Sequence, residues 1–122
     1  MILLDTNAVI YYLQNDPQVV GLVDELRKKD SAIAVATLTE MEALSFAGLS
    51  PANLVLISQW LSELTSINLD STIARLAARI RRTSGIKTPD AIIAATALLY
   101  NASLVTRDKE MKKVSDLKII WC

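Results

Sequence analysis

Acidic residues recur in this chain where apolar runs stop. Asp5 ends Ile2-Leu3-Leu4; Thr39, Glu40 and Glu42 follow Ala32–Ala36; Asp70 follows Ile67-Asn68-Leu69; Thr106 and Asp108 stand at the end of Ser103–Thr106. Asp90, with Thr88, opens a further apolar stretch. If the runs are parallel strands, their carboxyl ends form the rim where open α/β sheets bind ligands, and four or five carboxylates converge there. Two carboxylates about 4 Å apart repel by roughly 4 kcal/mol at an effective dielectric of about 20, so such a cluster calls for protons, cationic partners or a bound metal. Hard divalent cations such as Mg²⁺ take oxygen ligands and are held by a few carboxylates together with substrate phosphates.

Each acid also has a capping role open to it. Asp5 precedes Thr6-Asn7 as an N-cap would, although a carboxylate that ends a buried apolar strand calls for more than a cap. Glu42 lies three residues after Thr39 and Glu40 three after Thr37, both at capping-box spacing, so spacing leaves the choice of glutamate open. Asp90 follows Pro89 in a first helical turn, where the helix dipole favours an acid. Asp108 precedes the short segment Lys109–Val114, and Asp70, before Ser71-Thr72, reads most simply as an N-cap.

The elements that must position these residues follow from periodicity and punctuation. Ile2–Leu4, Ala32–Ala36, Ile67–Leu69 and Ser103–Thr106 read as strands, with Lys118–Trp121 a fifth at an edge. Helices are predicted over Thr6–Leu13, from Asp16-Pro17 onward, over Thr39–Ala47, Leu54–Leu64, Ser71–Arg82 and Pro89–Leu99, with Gly85 stopping the fifth. In the fifth, Ile73, Leu76, Ala77 and Ile80 face inward and Arg75, Arg79 and Arg82 outward. Strands alternating with helices predict an α/β domain with a parallel sheet. With three Gly, three Pro and no repeat or linker to divide 122 residues, the expected unit is one domain, 1–122.

Composition closes several routes. The chain contains no histidine, which removes Ser-His-Asp and Cys-His catalysis and imidazole-ligated metals. The lone Cys122 permits no disulfide framework, which points to a reducing compartment. The amino terminus lacks the layout of a secretory signal, and the uncharged run Ala91–Tyr100 is about half the roughly 20 residues that span a bilayer. The expected location is therefore the cytoplasm, away from membranes. Thirteen bases balance thirteen acids, yet residues 1–69 hold three bases against eight acids and residues 70–122 ten against five. The basic half, with Arg79, Arg82, Lys87, Arg107 and Lys109, offers a track for phosphates, although an exposed helix face would carry the same spacing. Tyr11, Tyr12, Leu13 and Trp60 are expected mainly in the core rather than on a partner surface.

Four ordered motifs carry a resemblance across nearly the whole chain. Met1-Ile2-Leu3-Leu4-Asp5-Thr6-Asn7, Thr39-Glu40-Met41-Glu42-Ala43-Leu44, Lys87-Thr88-Pro89-Asp90-Ala91-Ile92-Ile93-Ala94-Ala95-Thr96-Ala97 and Leu104-Val105-Thr106-Arg107-Asp108 resemble PIN-domain proteins, in particular VapC-type toxins of type II toxin–antitoxin pairs. The resemblance implies a three-layer α/β/α fold with a central, mainly parallel sheet of four to five strands. It matches Asp5, Glu42, Asp90 and Asp108 to the family's acidic quartet, with Asn7 and Thr106 as supporting polar positions. Glu42 is preferred to Glu40 because the family's glutamate precedes a small apolar pair, here Ala43-Leu44.

The resemblance further implies an endoribonuclease dependent on Mg²⁺ or Mn²⁺, acting on RNA, inhibited by a cognate VapB-like antitoxin and paired as a homodimer. An alternative is a non-catalytic PIN-like RNA-binding or scaffold module, against which the four filled acidic positions count. A phosphatase of the haloacid-dehalogenase type would use the first-strand aspartate as nucleophile, but such enzymes carry Asp-x-Asp there. This chain has Asp5-Thr6-Asn7, without the second acid.

Overall fold

The structure, a computed structural model, describes residues 1–29 and 31–122. Its strands are β1 (Ile2–Leu4), β2 (Ile33–Ala36), β3 (Thr65–Ile67), β4 (Ser103–Thr106) and β5 (Ile119–Trp121). Its helices are α1 (Thr6–Leu13), α2 (Pro17–Lys28), α3 (Thr37–Leu44), α4 (Pro51–Ser62), α5 (Ser71–Ser84) and α6 (Thr88–Leu99), with a 3₁₀ turn at Lys109–Lys113. The strands form one sheet in the order β3-β2-β1-β4-β5, and every pairing is parallel.

Alternation along the strands divides the interior in two, because successive side chains leave a strand on opposite faces. Leu3, Ala34 and Leu104 pack with α5, α6 and Met111 of the 3₁₀ turn on one face. Ile2, Leu4, Ile33, Val35 and Val105 pack with α1 to α4 on the other. The result is the three-layer α/β/α arrangement. Burial on both faces explains why the central strands read as continuous apolar runs without alternation.

The chain builds outward from β1 through β2 to β3, then returns through α5 and α6 to lay β4 on the opposite side of β1. The switch in strand order therefore falls between β1 and β4, the crevice where such sheets bind ligands. Local chemistry stops the helices near it. Asp16, Ser50 and Asp70 cap α2, α4 and α5 through their side chains, and Gly85, at φ 70°, ends α5 in the left-handed region that a Cβ disfavours.

Several boundaries differ from those predicted. The third strand is Thr65–Ile67, two residues earlier than expected, because its pairing Ala34↔Thr65 to Ala36↔Ile67 buries only Ile67. Edge pairing thus outweighs the apolarity of Leu69, which is exposed in the connection to α5. Helix α4 starts at Pro51 rather than Leu54, since Ser50 caps it and proline suits the first turn. Helix α3 starts at Thr37, directly from β2, and ends at Leu44.

Candidate metal and nuclease site

Asp5 follows β1 at its carboxyl end and is buried, with 5% of its surface exposed. Its backbone N–H donates to the Val105 carbonyl of β4, and its carboxylate Oδ1 accepts from Ala8 N–H at 2.7 Å, capping α1. The capping role is therefore real and uses one oxygen. Burial pushes the Asp5 carboxyl above the ordinary carboxylate range, while the Thr106 hydroxyl and Ala8 amide pull it back and the charges of Asp108 and Glu42 raise it again.

Around Asp5 the chain gathers Thr6, Asn7, Glu42, Asp90 and Asp108, all lining one small pocket of about 90 Å³. Glu42 comes from α3, and its Oε1 accepts from the Thr6 hydroxyl at 2.7 Å. Thr6 Oγ1 lies 3.1 Å from the hydroxyl of buried Thr39, so three residues from two helices hold one another. Glu40 turns away and accepts from the Ser66 hydroxyl on β3. The glutamate that spacing left open is thus Glu42 as far as the pocket is concerned.

Asp90 sits in the first turn of α6. Its carboxyl is raised by burial, then by the charges of Asp108 and Asp5, with Lys87 acting in the opposite direction. Asp108 caps the 3₁₀ turn, its Oδ1 accepting from Glu110 N–H at 2.9 Å, while its own N–H donates to Thr106 Oγ1 at 3.0 Å. Thr106, fully buried, serves Asp5 and Asp108 together. Asp70 lies outside the pocket and caps α5 by accepting from Ile73 N–H.

The donor set is all oxygen, and burial together with its like charges raises two of its own members, which suits a hard divalent cation. The carboxylates line an open pocket; among the described residues no three close into a ready-made cage.

Sequence reasoning placed Thr39 at the rim but missed Thr6 and the contact between the two. Thr6 adjoins Asp5 and Thr39 has capping-box spacing to Glu42, but their meeting requires α1 and α3 to pack side by side, which no local signal declares. Reasoning also placed Arg107 among the cations facing phosphate. Its guanidinium instead pairs with Asp16 at 3.0 Å, donates to the Cys122 carbonyl at 3.0 Å and lies 4.4 Å from the Tyr11 ring centroid. Arg82 and Lys87 are exposed and carry no ion pair among the described residues.

On the α1–α4 side, Ile10, Leu13, Phe46, Leu49, Leu56 and Ile57 line an apolar groove of about 380 Å³. Tyr11, Tyr12, Leu13 and Trp60 are partly buried against the core, with Tyr12 stacked on Trp60 at 4.7 Å, but Phe46, Val55 and Leu56 are more than half exposed. No described helix is long and apolar enough to cross a membrane.

A parallel five-stranded α/β/α sheet with acids at its switch point defines a class, and the sequence matches the PIN domain family over residues 2–117. The chain belongs to the PIN-domain family. It is similar to Ribonuclease VapC19 of Mycobacterium tuberculosis, at 31% identity over 111 residues that cover 87% of each chain. In three dimensions it resembles a chain of VapBC2 from Rickettsia felis, solved bound to a promoter DNA fragment, with a TM-score of 0.86, 25% identity and coverage of 100% and 99%. A toxin–antitoxin complex from Klebsiella pneumoniae superposes with a TM-score of 0.83 at 26% identity, over 98% of this chain and 96% of that one. The fold is that of the VapC structures.

Proposed function

We propose that this chain is a VapC-type endoribonuclease toxin, active with Mg²⁺ or Mn²⁺ held by Asp5, Glu42, Asp90 and Asp108, and inhibited by a cognate antitoxin. The observation that carries this reading is the meeting of four carboxylates, from four separate stretches of sequence, in one pocket at the switch point of the sheet. The name of the Mycobacterium tuberculosis relative and the toxin–antitoxin complexes among the structural relatives support it.

A bound divalent cation supplies Lewis-acid polarisation of a phosphoryl oxygen and stabilises charge on the leaving oxygen. The protein's own side chains do the rest. Thr6 orients Glu42 by donating to Oε1, and the N–H of Ala8 fixes Oδ1 of Asp5, so two of the four carboxylates have defined positions before substrate arrives. Thr106 couples Asp5 to Asp108. Asp90, in the first turn of α6 and lining the same pocket, completes the set of side chains that would hold the cation. Lys87 and Arg82, neither in an ion pair among the described residues, are suited to the flanking phosphates of an RNA strand.

An antitoxin belongs on the apolar groove of α1, α3 and α4, because exposed contiguous apolar surface of this kind marks a protein partner. A homodimer in the cytoplasm goes with this reading. The test is cleavage of total and transfer RNA by purified, antitoxin-free protein in Mg²⁺, Mn²⁺ or EDTA, beside Asp5→Asn and Asp90→Asn. Metal-dependent cutting lost in both folded variants is expected; cutting that persists in EDTA or in both variants overturns the reading.

A further inference from the structure

Arg107 lies between Thr106 and Asp108, yet its side chain leaves the acidic pocket and spans the end of the sheet. Nη1 meets Asp16 Oδ2 and Nη2 meets Asp16 Oδ1, each at 3.0 Å, a two-pronged pairing that matches the guanidinium fork to the carboxylate. Nη2 also donates to Gln18 Oε1 at 3.3 Å, and Nε donates to the Cys122 carbonyl at 3.0 Å, just beyond β5. The Tyr11 ring of α1 covers the guanidinium at 4.4 Å. Among the ion pairs of the described residues, this one has the least exposed partners, with side chains at 29% and 25%. It joins β4 and β5 to α1 and to the first turn of α2.

We infer that Arg107, held by Asp16, is a positioning residue that keeps the Thr106–Asp108 turn in place, so that the Asp108 carboxylate stays in the acidic pocket despite repulsion by its neighbours. This inference rests on the proposed nuclease reading. The need for such a hold is electrostatic. Asp108 faces the charges of Asp5 and Asp90, and its turn is otherwise secured by the Thr106 bond to its N–H and by its own cap on Glu110. An unheld turn relieves the repulsion by swinging outward. Arg107 acts from outside the pocket and touches no reacting group, as a partner that orients a ligand does.

The test compares the full chain with Arg107→Met, Arg107→Lys, Asp16→Asn and the charge-exchanged pair Arg107→Asp with Asp16→Arg. Three readouts are taken: Mn²⁺ affinity by calorimetry, hydrogen exchange of the Asp108 amide without metal, and kcat and KM for RNA cleavage. Expected are a loss of protection at the Asp108 amide with Val105 unchanged, Mn²⁺ affinity and kcat lowered about 10- to 100-fold with KM nearly constant, and partial recovery in the exchanged pair. Arg107→Lys, which keeps charge but loses the fork, falls between. A lower melting temperature with Asp108 protection, Mn²⁺ affinity and kcat per folded molecule unchanged overturns the inference and leaves Arg107 a stabilising residue only. If the parent chain binds no Mn²⁺, the metal reading fails by itself, and the Asp108 amide still decides whether the turn depends on Arg107.

Discussion

Replacing Asp90 with Asn should make the metal-free protein more stable while abolishing cleavage. Asp90 faces Asp108, Asp5 and Glu42, and its half-buried position weakens their screening by water. Two unit charges about 6 Å apart repel by about 3 kcal/mol at an effective dielectric near 20, and partial exposure of Asp90 reduces this to about 2 kcal/mol. Asparagine in the first turn of α6 forgoes a favourable dipole interaction of about 0.5 kcal/mol. The net expectation for Asp90→Asn is a gain of about 1–2 kcal/mol at pH 7.5 in EDTA, a rise of roughly 4–8 °C in melting temperature.

Mg²⁺ should reverse the order. At about one hundred times its dissociation constant a ligand stabilises the native state by about 2.7 kcal/mol, more than the variant's lead in EDTA, and the parent chain gains this where the variant largely does not. Scanning calorimetry of both proteins in EDTA and in Mg²⁺ is the assay. An Asp90→Asn protein less stable than the parent in EDTA would refute the reasoning, because Asp90 would then act chiefly as a first-turn acid on the α6 dipole and not as a member of a repelling cluster.

Other predictions rest on the same geometry. Raised native pKa values at Asp5 and Asp90 mean that the folded state binds protons more tightly than the unfolded chain, so metal-free stability should rise as pH falls from neutral toward 3.8. Asp16, held below its ordinary value by Arg107, loses its contribution as pH falls below 3.8, so stability measured by denaturation in EDTA should show a maximum on the acid side of neutral that Asp90→Asn flattens. Thr6→Val removes the donor to Glu42 and should lower Mn²⁺ affinity about 10- to 100-fold, while denaturant unfolding reports a stability change of only about 1–2 kcal/mol. Arg82→Ala and Lys87→Ala should raise KM with kcat preserved, each reducing the slope of log affinity against log salt by about 0.7 on single-stranded RNA. Leu56→Asp, on the exposed lip of the apolar groove, should abolish antitoxin inhibition in a cleavage assay without changing cleavage by the free toxin.

Much of this arrangement was legible from residue type and order. The central strands announce themselves because both faces are buried; Asp5 follows β1 at once and Asp108 stands two residues beyond β4, while Glu42 reaches the pocket from within α3. Where the reading slipped, long-range contacts had overridden local chemistry. β3 is an edge strand with two exposed residues, so hydrogen bonding to β2 sets its limits and apolarity does not. Arg107 looked like a free cation because its partners Asp16, Cys122 and Tyr11 come from distant parts of the chain. Glu42 and Glu40 are indistinguishable by spacing, and only the turn of α3 past β3 sends one to the pocket and the other to Ser66.

The pocket's geometry is an extension of strand register. Leu4 pairs with Val105, so the next residues along, Asp5 and Thr106, come to the rim side by side, and the Asp5 N–H bond to Val105 secures that step. Leu4 and Val105 pack on one face while Leu3 and Leu104 pack on the other, and a slip of one residue would exchange every pair between the two cores. The apolar interior therefore specifies the register that brings the acids together. Their mutual repulsion opposes only the side chains and the turns that carry them, which is why Thr6, Thr106 and Arg107 matter at this site and why the strands beneath them do not have to adjust.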